Sequence, residues 1–263
     1  SYMRHFISAV YRVLKLDCQL DERQLDRRVV DVDAFPMGIN YKKYHNALQD
    51  KSIQRKADEF KASFGKGKIM ISVDRLDYSK GILIRLKSFE QFLQNHPEYI
   101  GKVSLVMIVS PSRDNVDIYA ELKNEIDKMV GSINGQFSTL DWTPVYYFYR
   151  SFEFEELTAL YNIADIALVT PLRDGMNSVS KEYLATKKNK PGVLILSEMA
   201  GASIELSDAI IVNPTDLKEI ENAILQALEM PEKEQLDALH SMQDIISIQT
   251  VEQWAKDFVQ ELR

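Results

Sequence analysis

Arg75 and Lys80 stand five residues apart in Ser72-Val73-Asp74-Arg75-Leu76-Asp77-Tyr78-Ser79-Lys80-Gly81, where an apolar run gives way to an amphipathic stretch. Arginine presents a planar fork of donors suited to phosphate oxygens, and lysine adds a compact point charge. Gly81, directly after the lysine, lets the backbone come close to a ligand. A second segment, Pro171-Leu172-Arg173-Asp174-Gly175-Met176-Asn177-Ser178-Val179-Ser180-Lys181-Glu182, also runs from a strand end through a glycine turn into a helix. The first-turn amides of that helix have no partner within it and face an incoming anion. Two such devices in one domain point to a diphosphate.

Each residue also has a plainer reading. Arg75 and Lys80 have the composition of ordinary surface cations. Asp174 suits the cap of the following helix. Glu182, two turns further along, either reaches ribose hydroxyls or pairs with a lysine such as Lys187. Arg113, in Pro111-Ser112-Arg113-Asp114, follows another strand end and by itself reads equally well as an exposed arginine beside a helix cap.

The elements that must position these residues follow from periodicity. Residues 68–73, 103–109, 145–148, 166–169, 192–197 and 209–212 read as strands separated by amphipathic helices. Val103 to Val109 is almost continuously apolar, as in a central parallel strand covered on both faces. The fold class is α/β, a doubly wound parallel sheet. Ligands of such sheets gather at the carboxyl ends of the strands, where Arg75, Lys80, Arg113 and Asp174 all fall. Leu83, Leu86, Phe89, Phe92 and Leu93 share one face of the helix after Gly81 and predict core packing.

Residues 1–39 predict one helix and one strand, at 28–35, too little for a domain. Residues 41–64 predict a single polar helix with a seam of Ile53, Ala57, Phe60 and Phe64. The last residues, 250–263, predict a helix with Val251, Trp254, Phe258 and Leu262 on one face, Trp254 packing on a core. The aromatic run Trp142, Tyr146, Tyr147, Phe148 and Tyr149 has strand spacing and predicts packing rather than a stacking platform.

Composition narrows the function classes. A net charge of -7 over 263 residues disfavours a nucleic-acid partner, whose binding needs a basic face. No apolar run approaches the ~20 residues that span a bilayer, and no leader pattern opens the chain. Cys18 is the only cysteine, which excludes internal disulfides and thiolate metal sites and fits a cytoplasmic setting. His5, His45, His96 and His240 lack the spacing of a helical metal pair. Asp31-Val32-Asp33-Ala34-Phe35 superficially matches the paired-Asp start of haloacid-dehalogenase-type phosphatases. Phe35 stands where that chemistry needs Thr or Val, and no further acidic metal-binding motif follows.

The two long motifs, with Asn134-Gly135, Asp141-Trp142-Thr143-Pro144 and Ser197-Glu198-Met199-Ala200-Gly201-Ala202, make the chain resemble the trehalose-6-phosphate synthase family of retaining glycosyltransferases along essentially its whole length. The resemblance implies half of a GT-B enzyme, in which two Rossmann-like domains face each other and UDP-glucose donates glucose to glucose-6-phosphate without a metal or other cofactor. Arg75 and Lys80 would then hold the donor diphosphate. Asp174, with the amides of Gly175, Met176 and Asn177, would hold the donor glucose, and Arg75, Lys80 and Asp174 form the catalytic set. Ser178, Val179, Ser180, Lys181 and Glu182 match the donor-binding stretch, with Glu182 on the ribose. Phe152 falls where backbone atoms hold uracil, and Arg113 matches a ligand of the acceptor phosphate. Ser178 and Ser180 replace Leu and Ala of some members, which leaves amide contacts unchanged.

On the same resemblance, residues 1–39 correspond to the tail of the acceptor-side domain, 40–249 to the nucleotide-sugar domain and 250–263 to a helix crossing back. Most of the acceptor side lies outside the chain, so it is expected to bind UDP without useful turnover. Glucosylglycerol-phosphate synthase and a non-catalytic regulatory subunit remain alternatives. Homo-oligomerisation and a phosphatase domain after Arg263 are left open.

Overall fold

The computed structural model describes residues 2–14, 18–19, 22–25, 28–112, 117–188 and 190–262. Its centre is a six-stranded parallel sheet. The chain opens with helix α1 (Tyr2–Leu14) and three short strands, β1 (Cys18–Gln19), β2 (Glu22–Leu25) and β3 (Arg28–Asp31), which pair antiparallel. Three strands therefore replace the single one expected before residue 39, and the last stops at Asp31 rather than Phe35. Segments of two to four residues, rich in charge, carry too little alternation to be read as strands.

Helices α2 (Tyr41–His45) and α3 (Lys51–Ser63) flank a 3-10 turn, Ala47–Gln49, where a single helix was expected. Asn46 ends α2, and Asp50 starts α3 by accepting from the Ser52 amide at 2.7 Å. Two side chains that favour caps over helix interiors thus interrupt the run. The expected seam survives, with Ile53, Ala57 and Phe64 buried and Phe60 packed beside them.

The sheet is built from β4 (Lys68–Arg75), β5 (Val103–Ser110), β6 (Val145–Phe148), β7 (Ile166–Val169), β8 (Val193–Ser197) and β9 (Ile210–Val212). All neighbours are parallel, in the order β6-β5-β4-β7-β8-β9. Numbered from β4, this is the 3-2-1-4-5-6 order of a Rossmann-like doubly wound sheet. Alternation along each strand fills two cores. Leu105, Met107 and Val109 face α4 (Ile82–Asn95), α5 (Asp117–Phe137) and α8 (Leu217–Glu229). Val106 and Ile108 face the other core, with α6 (Phe154–Ile163), α7 (Ser178–Thr186) and α9 (Glu232–Ile248). Trp142, Tyr147 and Tyr149 pack in the first core and Tyr146 and Phe148 against the second, as their spacing predicts.

Helix α10 (Val251–Glu261) has no buried residue. Trp254 is half-buried and packs on the segment between β3 and α2 rather than on a core. Its indole donates to the Phe35 carbonyl at 3.0 Å, while Phe258 meets the Phe35 ring edge-on at 5.2 Å. Among the described residues no helix is long and apolar enough to cross a membrane.

Candidate functional site

In this strand order the chain reverses its winding between β4 and β7, and the crevice at their carboxyl ends is the switch point where such sheets take ligands. Arg75 is the last residue of β4 and is exposed. The chain then enters a 3-10 turn, Tyr78–Lys80, started by Asp77, whose carboxylate accepts from the Ser79 amide at 2.8 Å and hydroxyl at 2.7 Å. Burial pushes the Asp77 carboxyl up, but these bonds and the charges of Lys80 and Arg75 bring it below its ordinary value. Gly81 has φ +65°, and a Cβ there would lie 2.6 Å from the Thr170 carbonyl oxygen. Both the left-handed turn and the close approach to the β7 loop require glycine.

The two motifs meet. Lys80 Nζ lies 2.6 Å from Asp174 Oδ2, with the two side chains 14% and 16% exposed. Their backbones are joined as well, since the Leu172 and Arg173 amides donate to the Ser79 carbonyl at 2.7 and 3.2 Å. Asp174 is not the helix cap. Asn177, at φ 77°, caps α7 by accepting from the Ser180 amide, while Asp174 accepts from the Met176 amide at 3.3 Å and the Asn177 side chain at 3.2 Å. The carboxylate therefore shapes the turn before the helix. The exposed Gly175 and Ser178 and half-buried Met176 and Val179 line the amino end of α7.

Glu182 does not pair with Lys187. Tyr161 donates to Glu182 Oε2 at 3.2 Å, and the Tyr44 phenol feels the Glu182 charge. Burial, followed by the Glu182 charge, pushes both phenols up, so both stay protonated and Tyr161 remains a donor to the carboxylate. Lys187 instead donates to the Asn162 carbonyl at 3.1 Å and to that of Ala164, at the carboxyl end of α6. Phe152 is half-buried, edge-on to Phe148 at 5.4 Å and under the Arg150 guanidinium at 4.1 Å. The Lys181 side chain is turned into the fold and fully buried. Arg113 lies outside the described residues, as do residues 114–116.

One residue of the site carries no sequence signal. Arg85, on α4, is fully buried. It donates to Asp74 Oδ2 at 2.5 Å, to Thr170 Oγ1 at 3.0 Å, to the Lys80 carbonyl at 3.0 Å and to Ser72 Oγ. One guanidinium thus joins the ends of β4 and β7 to the lysine turn. Burial pushes the Asp74 carboxyl up, and Arg85 and Lys80 oppose it. In an amphipathic stretch Arg85 reads as a solvated cation, and only the packing shows otherwise.

Beside this edge lies a cavity of about 570 Å³ between the start of α1, residues 34–37, the Arg173–Met176 loop and residues 198–205. Among the described residues no group of three or more His, Cys, Asp or Glu side chains is placed to hold a metal ion.

Sheet order defines the Rossmann-like α/β class, with Lys80 and Asp174 paired at the switch point. The sequence matches glycosyltransferase family 20 over residues 1–263. It is 43% identical over 261 residues to a bifunctional trehalose-6-phosphate synthase/phosphatase of Thermoproteus tenax, covering 99% of this chain and 36% of that protein. It is 42% identical to the 56 kDa subunit of a UDP-forming alpha,alpha-trehalose-phosphate synthase of Saccharomyces cerevisiae, covering 99% and 53%. Among solved structures, a UDP-forming synthase from Burkholderia vietnamiensis superposes with a TM-score of 0.94 at 36% identity, over 99% of this chain and 59% of that one. An Escherichia coli trehalose-6-phosphate protein bound with UDP-2-fluoro glucose gives 0.93 at 33%, over 98% and 57%. The chain belongs to glycosyltransferase family 20. It spans between about a third and three fifths of the length of these relatives.

Proposed function

We propose that this chain is the donor-nucleotide half of a retaining glucosyltransferase that moves glucose from UDP-glucose to glucose-6-phosphate, giving trehalose-6-phosphate. The observation that carries the reading is the meeting of Lys80 and Asp174 across the switch point, each brought there by a separate motif. The likeness to an E. coli protein bound with a UDP-sugar supports the donor class, and a Burkholderia xenovorans synthase in complex with glucose-6-phosphate supports the acceptor.

On this reading Arg75 and Lys80 receive the diphosphate. The C1–O bond of the donor glucose breaks, and its electron pair leaves on UDP. The acceptor hydroxyl oxygen forms the new bond on the same face, and its proton passes to the departing diphosphate, the nearest base there. Charge grows on the diphosphate as the bond breaks, so a Lys80 ammonium held beforehand by Asp174 and largely out of water lowers the barrier with little reorganisation, and the exposed Arg75 adds its charge. Asp174 holds the turn whose amides, at Gly175, Met176 and Asn177, meet the glucose. Ser178, Val179, Ser180 and Lys181 contribute backbone, Glu182 takes the ribose, the backbone at Phe152 takes uracil, and Arg113 takes the acceptor phosphate. No metal or cofactor enters this scheme, and the reaction belongs in the cytoplasm.

A second reading, a synthase-like unit without turnover, draws on the likeness to the amino-terminal domain of a Candida albicans trehalose-6-phosphate phosphatase, at a TM-score of 0.94. The paired Lys80 and Asp174 weigh against it. The discriminating experiment measures trehalose-6-phosphate formed from UDP-glucose and glucose-6-phosphate by the full-length protein and by residues 1–263 alone. The proposal expects product from the first in the presence of EDTA and essentially none from the second. A full-length protein that binds UDP-glucose but forms no product would favour the second reading.

A further inference from the structure

Lys181 sits in the first turn of α7 yet its side chain is 0% exposed. Its Nζ donates to the Met37 carbonyl at 3.0 Å and lies 2.7 Å from Glu205 Oε2, in an ion pair whose angle falls outside hydrogen-bond geometry. The Glu205 side chain is 9% exposed, and its Oε1 is buried with no hydrogen-bond partner among the described residues. A charge pair removed from water is weak as a source of stability, and leaving part of its bonding unmet makes it weaker. Its value has to lie in what it connects.

It connects three segments. The first is the amino end of α7. The second is the linker at 36–39, itself fastened to the α9–α10 junction by the Val251 amide on the Ile39 carbonyl at 3.1 Å and to α10 by Trp254 on Phe35. The third is residues 199–205, whose backbone is laced to the Asp174 turn. The Asp174 amide donates to Met199, Gly201 to Asp174 and Ala202 to Met176, at 3.2, 3.1 and 2.9 Å. Lys181 is the point where the linker and both sides of the Asp174 turn come together.

We propose that Lys181 and Glu205 are positioning residues for nucleotide-sugar binding, a latch that holds the Asp174 turn in its binding shape while the linker at 36–39 is seated. The proposal rests on the donor-site reading above. Neither side chain touches the ligand in this scheme. Both act through the turn and the first-turn amides of α7.

The test compares the unmutated chain with Lys181→Met, Glu205→Gln and the double variant Lys181→Met/Glu205→Met. Three quantities are read: thermal stability, hydrogen exchange of the Met176 to Ser180 amides without ligand, and UDP affinity by calorimetry. Each single variant is expected to speed exchange of those amides and weaken UDP by at least about fivefold, the lower range of coupling between linked sites, while β5 amides keep their protection. The double variant regains stability, because no charge is left buried alone. It does not regain affinity, because nothing then joins the linker to residues 199–205 through α7. Recovery of both in the double variant, or loss of stability alone in the single ones, would overturn the latch. Should Lys181→Met fail to fold, Glu205→Gln decides the question. Should the unmutated chain bind no UDP, the donor-site reading fails and the exchange data still judge the latch.

Discussion

Lys80 Nζ and Asp174 Oδ2 lie 2.6 Å apart, although 94 residues separate them. β4 and β7 are neighbours at the centre of the sheet, and the loops that leave them turn toward each other. Asp174 therefore holds the lysine at the switch point, and on the proposed function a diphosphate takes it over there. Lys80→Met should weaken UDP by about tenfold or more, since a charge-assisted hydrogen bond contributes about 1.5–3 kcal/mol. Asp174→Asn should leave UDP affinity within a few-fold of normal and lower affinity for UDP-glucose more, because the turn rather than the diphosphate contact is lost. Parallel titrations with UDP and UDP-glucose check both.

Arg85 is the buried partner of Asp74 and the tie between both loops. Arg85→Met strands a buried carboxylate, an error worth roughly 3–5 kcal/mol, and should lower the urea midpoint sharply. Adding Asp74→Leu should recover much of that stability. UDP affinity should stay depressed in the double variant, because the Lys80 carbonyl and Thr170 lose their common donor. Denaturation curves paired with UDP titrations separate the two effects.

Gly201 packs against the Asp174 turn so closely that a Cβ would lie 2.0 Å from the Gly175 carbonyl oxygen. Gly201→Ala must push that turn outward. Binding of UDP-glucose should suffer more than binding of UDP, as the ratio of the two dissociation constants would show.

Lys187 gives the chain a pH signature. Burial pushes its ammonium down from 10.5 to about 7, with the Asp165 charge opposing. The folded chain then sheds this proton near pH 7, whereas the unfolded chain keeps it until about pH 10.5. Between those values the unfolded state binds more protons, so this residue makes stability rise with pH, on the order of 1.4 kcal/mol per unit at most. Lys187→Met should flatten that rise in denaturation curves collected from pH 7 to 10, relative to the unmutated chain.

What the sequence makes legible follows the physics of each signal. The six parallel strands are apolar runs bounded by polar turns, so their positions match expectation within a residue or two, and strand order then puts both motifs at one edge. Asp174 was legible as an acid at the strand-to-helix turn, but that Asn177 caps the helix in its place was not, because either side chain suits a cap. The burial of the Arg85, Lys181 and Glu205 charges escapes sequence reasoning for a shared reason, although Lys181 itself falls in the donor-binding stretch: a buried charge looks like a solvated one until its partner is placed. For Lys181 that partner is 24 residues away and the Met37 carbonyl 144. The break at Asn46 to Asp50 was written in capping residues, which the longer amphipathic seam concealed.

The central claim is that the β4–β7 edge binds the diphosphate of a UDP-sugar without help from a metal. Calorimetric titration of residues 1–263 with UDP in EDTA, repeated with Arg75→Ala, tests it most directly. The account predicts binding in EDTA that Arg75→Ala weakens by at least about tenfold, roughly 1.4 kcal/mol. Binding that requires a divalent cation, or that Arg75→Ala leaves unchanged, would contradict it.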